Sequence, residues 1–474
     1  MLTRLEADGF KNLLGFAVDL GPYTCIAGAN AAGKSNIFDV IEFLALLADH
    51  PFMEAAQRLR SAGPRGGDPR TLFWDDGDGG EAVMTLAAEM IVPGVVEDDF
   101  GRQAKATTSF LRYDLKLRYT PPAQPGAGYA QLGGIVLLSE GLRHIKLGDA
   151  AEHLPWPHSK KHFRDAVVTG RRSGVAYIST ALEDGQGVVN VHQDAGSRGK
   201  PRTSPAARAP RTVVSTTTTS DDPTILAARR EMQQWRLLAL EPSAMRAADA
   251  ISDPNQVAPN GGHLAAAVFR LASVHSEQIY DEIASEASSL IDVRDLIVDV
   301  DPHRELLTLQ ARIGDGPFLP ARALSDGTLR FLALCIIAVD TESVGLLCME
   351  EPENGIHPGR IHAMVNLVRR LAVDPTQPPG PDNPLRQVLV NTHSPYFVQY
   401  QDPDDLLLAL PTTLRRGEST TTTVRLVPLA DTWRARAGST TVSRGAIIEY
   451  LQSPPGTQLT LDLHMYQTTA GVDA

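Results

Sequence analysis

Lys34 and Ser35 close the segment GANAAGKS at 28–35, which opens on Gly28 and carries a second glycine at Gly33. That spacing fits a phosphate-binding loop. Glycines let backbone N–H groups close around phosphate oxygens, the lysine reaches the β- and γ-phosphates of a nucleotide, and the hydroxyl holds Mg²⁺. The candidate phosphate-binding set is Gly28, Asn30, Ala31, Ala32, Gly33, Lys34, Ser35 and Asn36. The pattern also occurs by chance, so its context decides. TCIAG at 24–28 reads as a buried strand, and NIFDVIEFLALLAD at 36–49 as an amphipathic helix whose N-terminal dipole faces the anion.

Three later segments supply what a phosphate loop lacks: LSDGT at 324–328, LLCMEEPENGIHP at 346–358 and VLVNTHSP at 388–395. The apolar run VGLLCM predicts a buried parallel strand with Glu350 and Glu351 at its C-terminal end, where open α/β sheets bind ligands. There Glu350 can order a Mg²⁺ shell, and Glu351 can position or deprotonate an attacking water. QVLVNT predicts a second buried strand that delivers His393 to the same edge, within reach of a γ-phosphate. Taken singly, a pair of glutamates after a strand is usually a solvated loop and a strand-end histidine a satisfied core residue. The order and strand context of all four segments argue against those readings.

The four segments resemble the ABC-type ATPases of the SMC, RecF and OLD group, most closely compact prokaryotic AAA-family (OLD-like) ATPases of antiphage defence systems. The resemblance implies ATP and Mg²⁺ as ligands, a Walker B role for Glu350 with Ser35 as the other metal ligand, and Glu351 as catalytic carboxylate. It further implies a D-loop at Asn354–His357, His393 as switch histidine and Asn12 beside the base. LSDGT takes the place of the ABC signature, so Ser325, Asp326 and Gly327 would contact ATP held by a second subunit. That arrangement implies an ATP-dependent head-to-head homodimer.

Two residues depart from the group's usual pattern. Asp326 stands where the signature normally has glycine, so a carboxylate near a tetra-anionic nucleotide must be turned away, metal-bound or paired. Glu350 replaces an aspartate. A coupling glutamine is also lacking after the phosphate loop, where Gln57 and Arg65 are the weak candidates.

The elements that must position these residues can be read from patterning. The expected fold is α/β, an ABC-type (P-loop NTPase) ATPase head with a mixed sheet, an antiparallel β-subdomain and a helical insertion. Residues 1–194 make the first lobe, with a hairpin leading to the phosphate loop and alternating strands such as SFLRYDLKLRYT and GGIVLLSEGLRHIKL. Residues 195–295 hold a basic Pro/Ser/Thr-rich loop and a helical insertion that projects from the head. Residues 296–474 return to the second lobe with the signature, Walker B and switch histidine. DLLLAL and RRGESTTTTVRLVPL add a buried strand and an edge strand.

The 474-residue length suggests two structural units, and 43% hydrophobic residues allow a large core. A formal net charge of −12 argues against coating of nucleic acid over the whole surface, though not against a local basic groove. Cys25, Cys335 and Cys348 lie in apolar segments and read as buried thiols, which fits a reducing cytoplasm. The longest apolar run, FLALCIIAV, is too short for a bilayer span. The resulting expectation is a cytoplasmic, slowly hydrolysing ATPase that controls a separately encoded effector in antiphage defence. The alternative is a RecF-like clamp that binds DNA during repair.

Overall fold

The computed structural model describes residues 1–30, 32–59, 68–74, 81–121, 133–170, 174–183, 185–194, 200–288, 290–416, 419–436, 438–453 and 464–465. The central sheet has six strands. In spatial order they are Trp235–Leu238, Gly345–Glu350, Arg386–Thr392, Tyr23–Ala27, Leu406–Arg416 and Ser419–Pro428. The first five are parallel neighbours, and the last pairs antiparallel at the edge. The register puts Leu238 opposite Met349, Glu350 opposite Asn391, and Thr392 opposite Ala27. Four strand ends therefore stop at one level, and the segments leaving them emerge at one edge.

The strand sequences explain why they sit in the middle. Alternate side chains enter opposite cores: Ile26, Leu346, Cys348 and Leu389 on one face, Cys25, Leu347, Met349, Val388 and Val390 on the other. A strand buried on both faces needs a continuous apolar run, which these have. On the first face the helix Lys34–Leu47 packs Phe38, Phe43 and Leu44 against an eight-stranded antiparallel sheet through Leu5, Leu86 and Tyr113. On the second face lie the helices Leu264–His275, Gln278–Ser288, Asp326–Val339 and Ile361–Arg370. All three cysteines are buried and free, and burial pushes the Cys335 thiol up to about 12. No helix among the described residues is long and apolar enough to cross a membrane.

The stretch between the lobes differs from the expectation of a projecting insertion. Helix Pro223–Gln233 puts Ile225, Leu226, Ala228 and Met232 into the first core, and Trp235–Leu238 is the edge strand of the central sheet. WRLL comes after a helix without a Gly or Pro break, so a four-residue strand carries too little pattern to separate from it. The basic segment is likewise built in: Arg202–Pro205 pairs antiparallel with Gln186–Val191 as the edge of the large sheet. Buried carboxylates anchor the chain on either side of residue 220. Glu140 accepts from Val213 N at 2.8 Å and Val214 N at 3.1 Å, and Asp194 accepts from Thr224 N at 2.6 Å. Residues 195–199 of the basic segment lie outside the described residues.

Candidate nucleotide site

The phosphate loop joins strand Tyr23–Ala27 to helix Lys34–Leu47, and its two glycines are there for different reasons. A Cβ on Gly28 would stand 2.9 Å from the Ala409 carbonyl oxygen on the neighbouring strand. Gly33 has φ 88°, a left-handed conformation at the helix start, and a Cβ there would meet Asn12 Nδ2 at 2.8 Å. Lys34 is buried and folds back over the loop, where Nζ donates to the carbonyls of Gly28 and Ala29 at 2.7 and 2.8 Å. Burial pushes its ammonium below the usual lysine range, while the charges of Glu351, Glu350 and Glu353 pull it back. Those facing carboxylates are what the fold brings to the lysine.

A cleft of 610 Å³ opens at the aligned strand ends. Asn12, Asn30, Ala32, Gly33, Lys34, Ser35 and Asn36 line one side, and Glu350, Glu351, Pro352 and Asn354 another. Asn12 accepts from Asn36 Nδ2 at 2.7 Å, so it braces the helix start as well as facing the cleft. Ala31 and Arg65 lie outside the described residues, and Gln57 is exposed on helix Phe52–Arg58, away from the cleft lining.

Glu351 is held from three directions. Its φ of 47° is unusual for a residue with a side chain, and its N–H donates to the Asn391 carbonyl at 3.0 Å and to Asn391 Oδ1 at 3.2 Å. Its Oε2 accepts from Asn354 Nδ2 at 2.7 Å, and Oε1 lies 2.6 Å from His393 Nδ1. A carboxylate only accepts, so Nδ1 is the donor, and His393 bears on the cleft through Glu351, since the ring itself is not among the lining residues. Such backbone strain persists only where the surroundings over-determine it. Asn391 also reaches Glu350 Oε1 at 3.4 Å, so one amide side chain addresses both acidic residues.

Behind this pair, Glu353 is buried and accepts from Thr392 Oγ1, and burial pushes its carboxyl up. Sequence reasoning passed over Glu353, Asn391 and the wall Leu238, Ala239, Leu240 and Glu241. A usable signal existed for Asn391, a polar residue that follows directly on the apolar run at 388–390 near the strand end. For Leu238–Glu241 the signal is the strand end itself, because Trp235–Leu238 runs parallel to Gly345–Glu350 and stops at the same edge.

Ser325, Asp326 and Gly327 are not part of this chain's own cleft lining. Ser325 caps the helix Asp326–Val339, its Oγ accepting from Thr328 N at 3.2 Å. The helix leans on the Asn354–Gly355 turn, where Arg330 donates to the Asn354 carbonyl and Gly327 stands beside the Gly355 carbonyl. Asp326 is paired, which answers the question its charge raises: its carboxylate meets the Arg246 guanidinium.

The donor set suits a nucleotide with its metal. Ser35 offers a hydroxyl and Glu350 a carboxylate, the hard oxygen ligands that Mg²⁺ takes, and the Lys34 ammonium, held by two carbonyls, lies at the same cleft.

Residues 235–399 match the family described as "AAA domain, putative AbiEii toxin, Type IV TA system". No curated protein matches the chain by sequence. Among solved structures, the chain is similar at 12% identity to an SMC head bound to the C-winged helix domain of ScpA. That match has a TM-score of 0.43 and covers 90% of this chain and 98% of the other. The SMC head domain from Thermotoga maritima is similar at 12% identity, with a TM-score of 0.35 and the same coverage. An Smc head domain with an extended coiled coil, bound to the C-terminal domain of ScpA derived from Pyrococcus furiosus, gives 12% identity and a TM-score of 0.41. It covers 90% of this chain and 96% of its own. The strand order, the phosphate loop at a parallel strand end and the paired carboxylates on the adjoining strand make this an α/β P-loop NTPase fold.

Proposed function

We propose that the chain is an OLD-like ABC-type ATPase that closes head to head around ATP, hydrolyses it slowly, and controls a separately encoded effector in antiphage defence. The observation that carries the reading is the convergence of Lys34, Ser35, Glu350, Glu351 and Asn354 on one cleft, while Ser325–Gly327 stay outside it. A Mg²⁺ ion held by Ser35 and Glu350 would neutralise charge on the β- and γ-phosphates. Lys34 exchanges its two carbonyl partners for phosphate oxygens, and Glu351 orients the attacking water and takes its proton. His393 and Asn354 keep the Glu351 carboxylate aimed, and the signature of a second copy covers the terminal phosphate. The family description, with its AbiEii toxin, supports a place in defence.

The test is the molar mass of the Glu351→Gln chain by sedimentation. With saturating ATP and Mg²⁺ it should double, and without nucleotide it should not. A nucleotide-bound chain that stays monomeric would rule out the shared site. For the effector, co-purification of the product of an adjacent gene is the expected outcome.

A further inference from the structure

The signature segment presents an electrostatic conflict that its surroundings resolve. A helix N-terminus carries partial positive charge and unpaired N–H groups, which makes it an anion seat, and a carboxylate in the first turn competes for that seat. Asp326 is the first residue of the helix Asp326–Val339. Its carboxylate does not take the capping bond, because Ser325 Oγ accepts from Thr328 N instead. Arg246 grips Asp326 Oδ1 and also donates to the Leu324 carbonyl at 3.2 Å, binding both ends of the signature turn. Arg246 closes the short helix Pro242–Met245, which comes directly after the cleft wall Leu238–Glu241.

We infer that Arg246 is a positioning residue for the signature. By drawing the Asp326 carboxylate aside it leaves the Ser325–Gly327 backbone open to a terminal phosphate carried by a second copy, and it ties that backbone to the wall of its own cleft. The inference rests on the shared-site reading above. The Arg246 and Asp326 side chains are 33% and 55% exposed, so in the separate chain water screens the pair and it contributes little to stability. Its effect lies in the closed dimer, where water is excluded and an unpaired carboxylate beside phosphate is strongly unfavourable.

Steady-state hydrolysis and nucleotide affinity of full-length variants test this. Arg246→Ala should lower kcat by about tenfold or more while the affinity of the separate chain for ATP stays within about twofold, a split that a folding defect does not produce. Arg246→Ala combined with Asp326→Gly should regain kcat to within about threefold of wild type, because without the carboxylate the arginine is not needed. Arg246→Lys, which keeps the charge, should lose less than Arg246→Ala. A double variant as slow as Arg246→Ala, or an Arg246→Ala chain as fast as wild type, overturns the inference. Should Arg246→Ala not fold, Arg246→Gln keeps the stem and a donor for Leu324 and carries the same expectations. Nucleotide-dependent association of the wild type, measured alongside, separates the two failures. If the wild type associates and Arg246→Ala matches it in rate, the inference alone falls; if the wild type never associates, both fall.

Discussion

Replacing Glu351 by glutamine removes one charge and keeps the shape. In the wild-type chain both carboxylate oxygens are engaged, one by His393 Nδ1 at 2.6 Å and one by Asn354 Nδ2 at 2.7 Å. An amide has a single acceptor oxygen, so glutamine keeps one of these donors and turns its NH₂ toward the other. Glu351 and His393 are 27% and 42% exposed, so water replaces much of the lost contact and the fold should be destabilised by only about 1 kcal/mol. The chemical step should suffer more. Losing a positioned base costs about 100-fold or more in rate, or roughly 3 kcal/mol of barrier. Nucleotide binding should survive, because Lys34, Ser35 and Glu350 are untouched. Single-turnover hydrolysis of limiting ATP, paired with equilibrium binding, reads both quantities. Glu350→Gln, by contrast, should raise the Mg²⁺ concentration needed for binding. Equal loss of nucleotide binding in both variants, or wild-type hydrolysis by Glu351→Gln, would refute the division between base and metal ligand.

Lys34→Ala should cost on the order of 2–4 kcal/mol of ATP binding, because it deletes the buried cation that faces two phosphates, and calorimetry showing wild-type affinity would remove the site assignment. Glu140 gives a stability prediction away from the site. Burial raises its carboxyl from 4.5 to about 7, against the two backbone N–H bonds and the Tyr113 hydroxyl that favour the charged form. Between those values the folded chain keeps a proton that the unfolded chain has lost. The contribution is therefore fully present below pH 4.5 and disappears as pH rises through about 7, by roughly 3 kcal/mol. The stability of wild type relative to Glu140→Gln, from urea unfolding, should fall by that amount across the window; a pH-independent difference would contradict it.

How far the sequence spoke depended on the length of the pattern. Residues Tyr23–Ala27, Gly345–Glu350 and Arg386–Thr392 are legible because strands buried on both faces carry an apolar run at their centre, and the motif at each end fixes their direction. The antiparallel strands of the large sheet show the expected alternation, as in Phe110–Thr120 with Leu111, Tyr113, Leu115 and Leu117 turned into the core. Trp235–Leu238 was hidden because four residues after a helix hold no readable period, and with it went the cleft wall at 238–241. The segment near 200–223 reads as a loop because its ties are tertiary: Glu140 reaches Val213 and Val214 from the strand Gly134–His144, Asp194 holds Thr224 just beyond, and nothing local announces them. Asp326 was visible as a problem in the sequence, whereas its partner Arg246 lies 80 residues away and needed the fold to appear.

The shared site is tested most directly by mixing two disabled chains. Lys34→Ala removes the phosphate-loop cation, and Gly327→Arg places a bulky group on the signature, where even a Cβ would stand 3.3 Å from the Gly355 carbonyl oxygen. Gly327→Arg alone should still bind ATP, which checks that its own cleft is intact, yet neither variant should hydrolyse it. In a mixed dimer one site carries both defects and the other carries neither, because Lys34 of one copy meets Gly327 of its partner. The account predicts that hydrolysis returns on mixing, toward about a quarter of the wild-type rate if half the dimers are mixed and each has one working site. A tandem-linked dimer carrying one defect in each half should behave the same without subunit exchange. A Gly327→Arg chain that hydrolyses ATP at the wild-type rate, or a linked dimer that stays inactive, would contradict it.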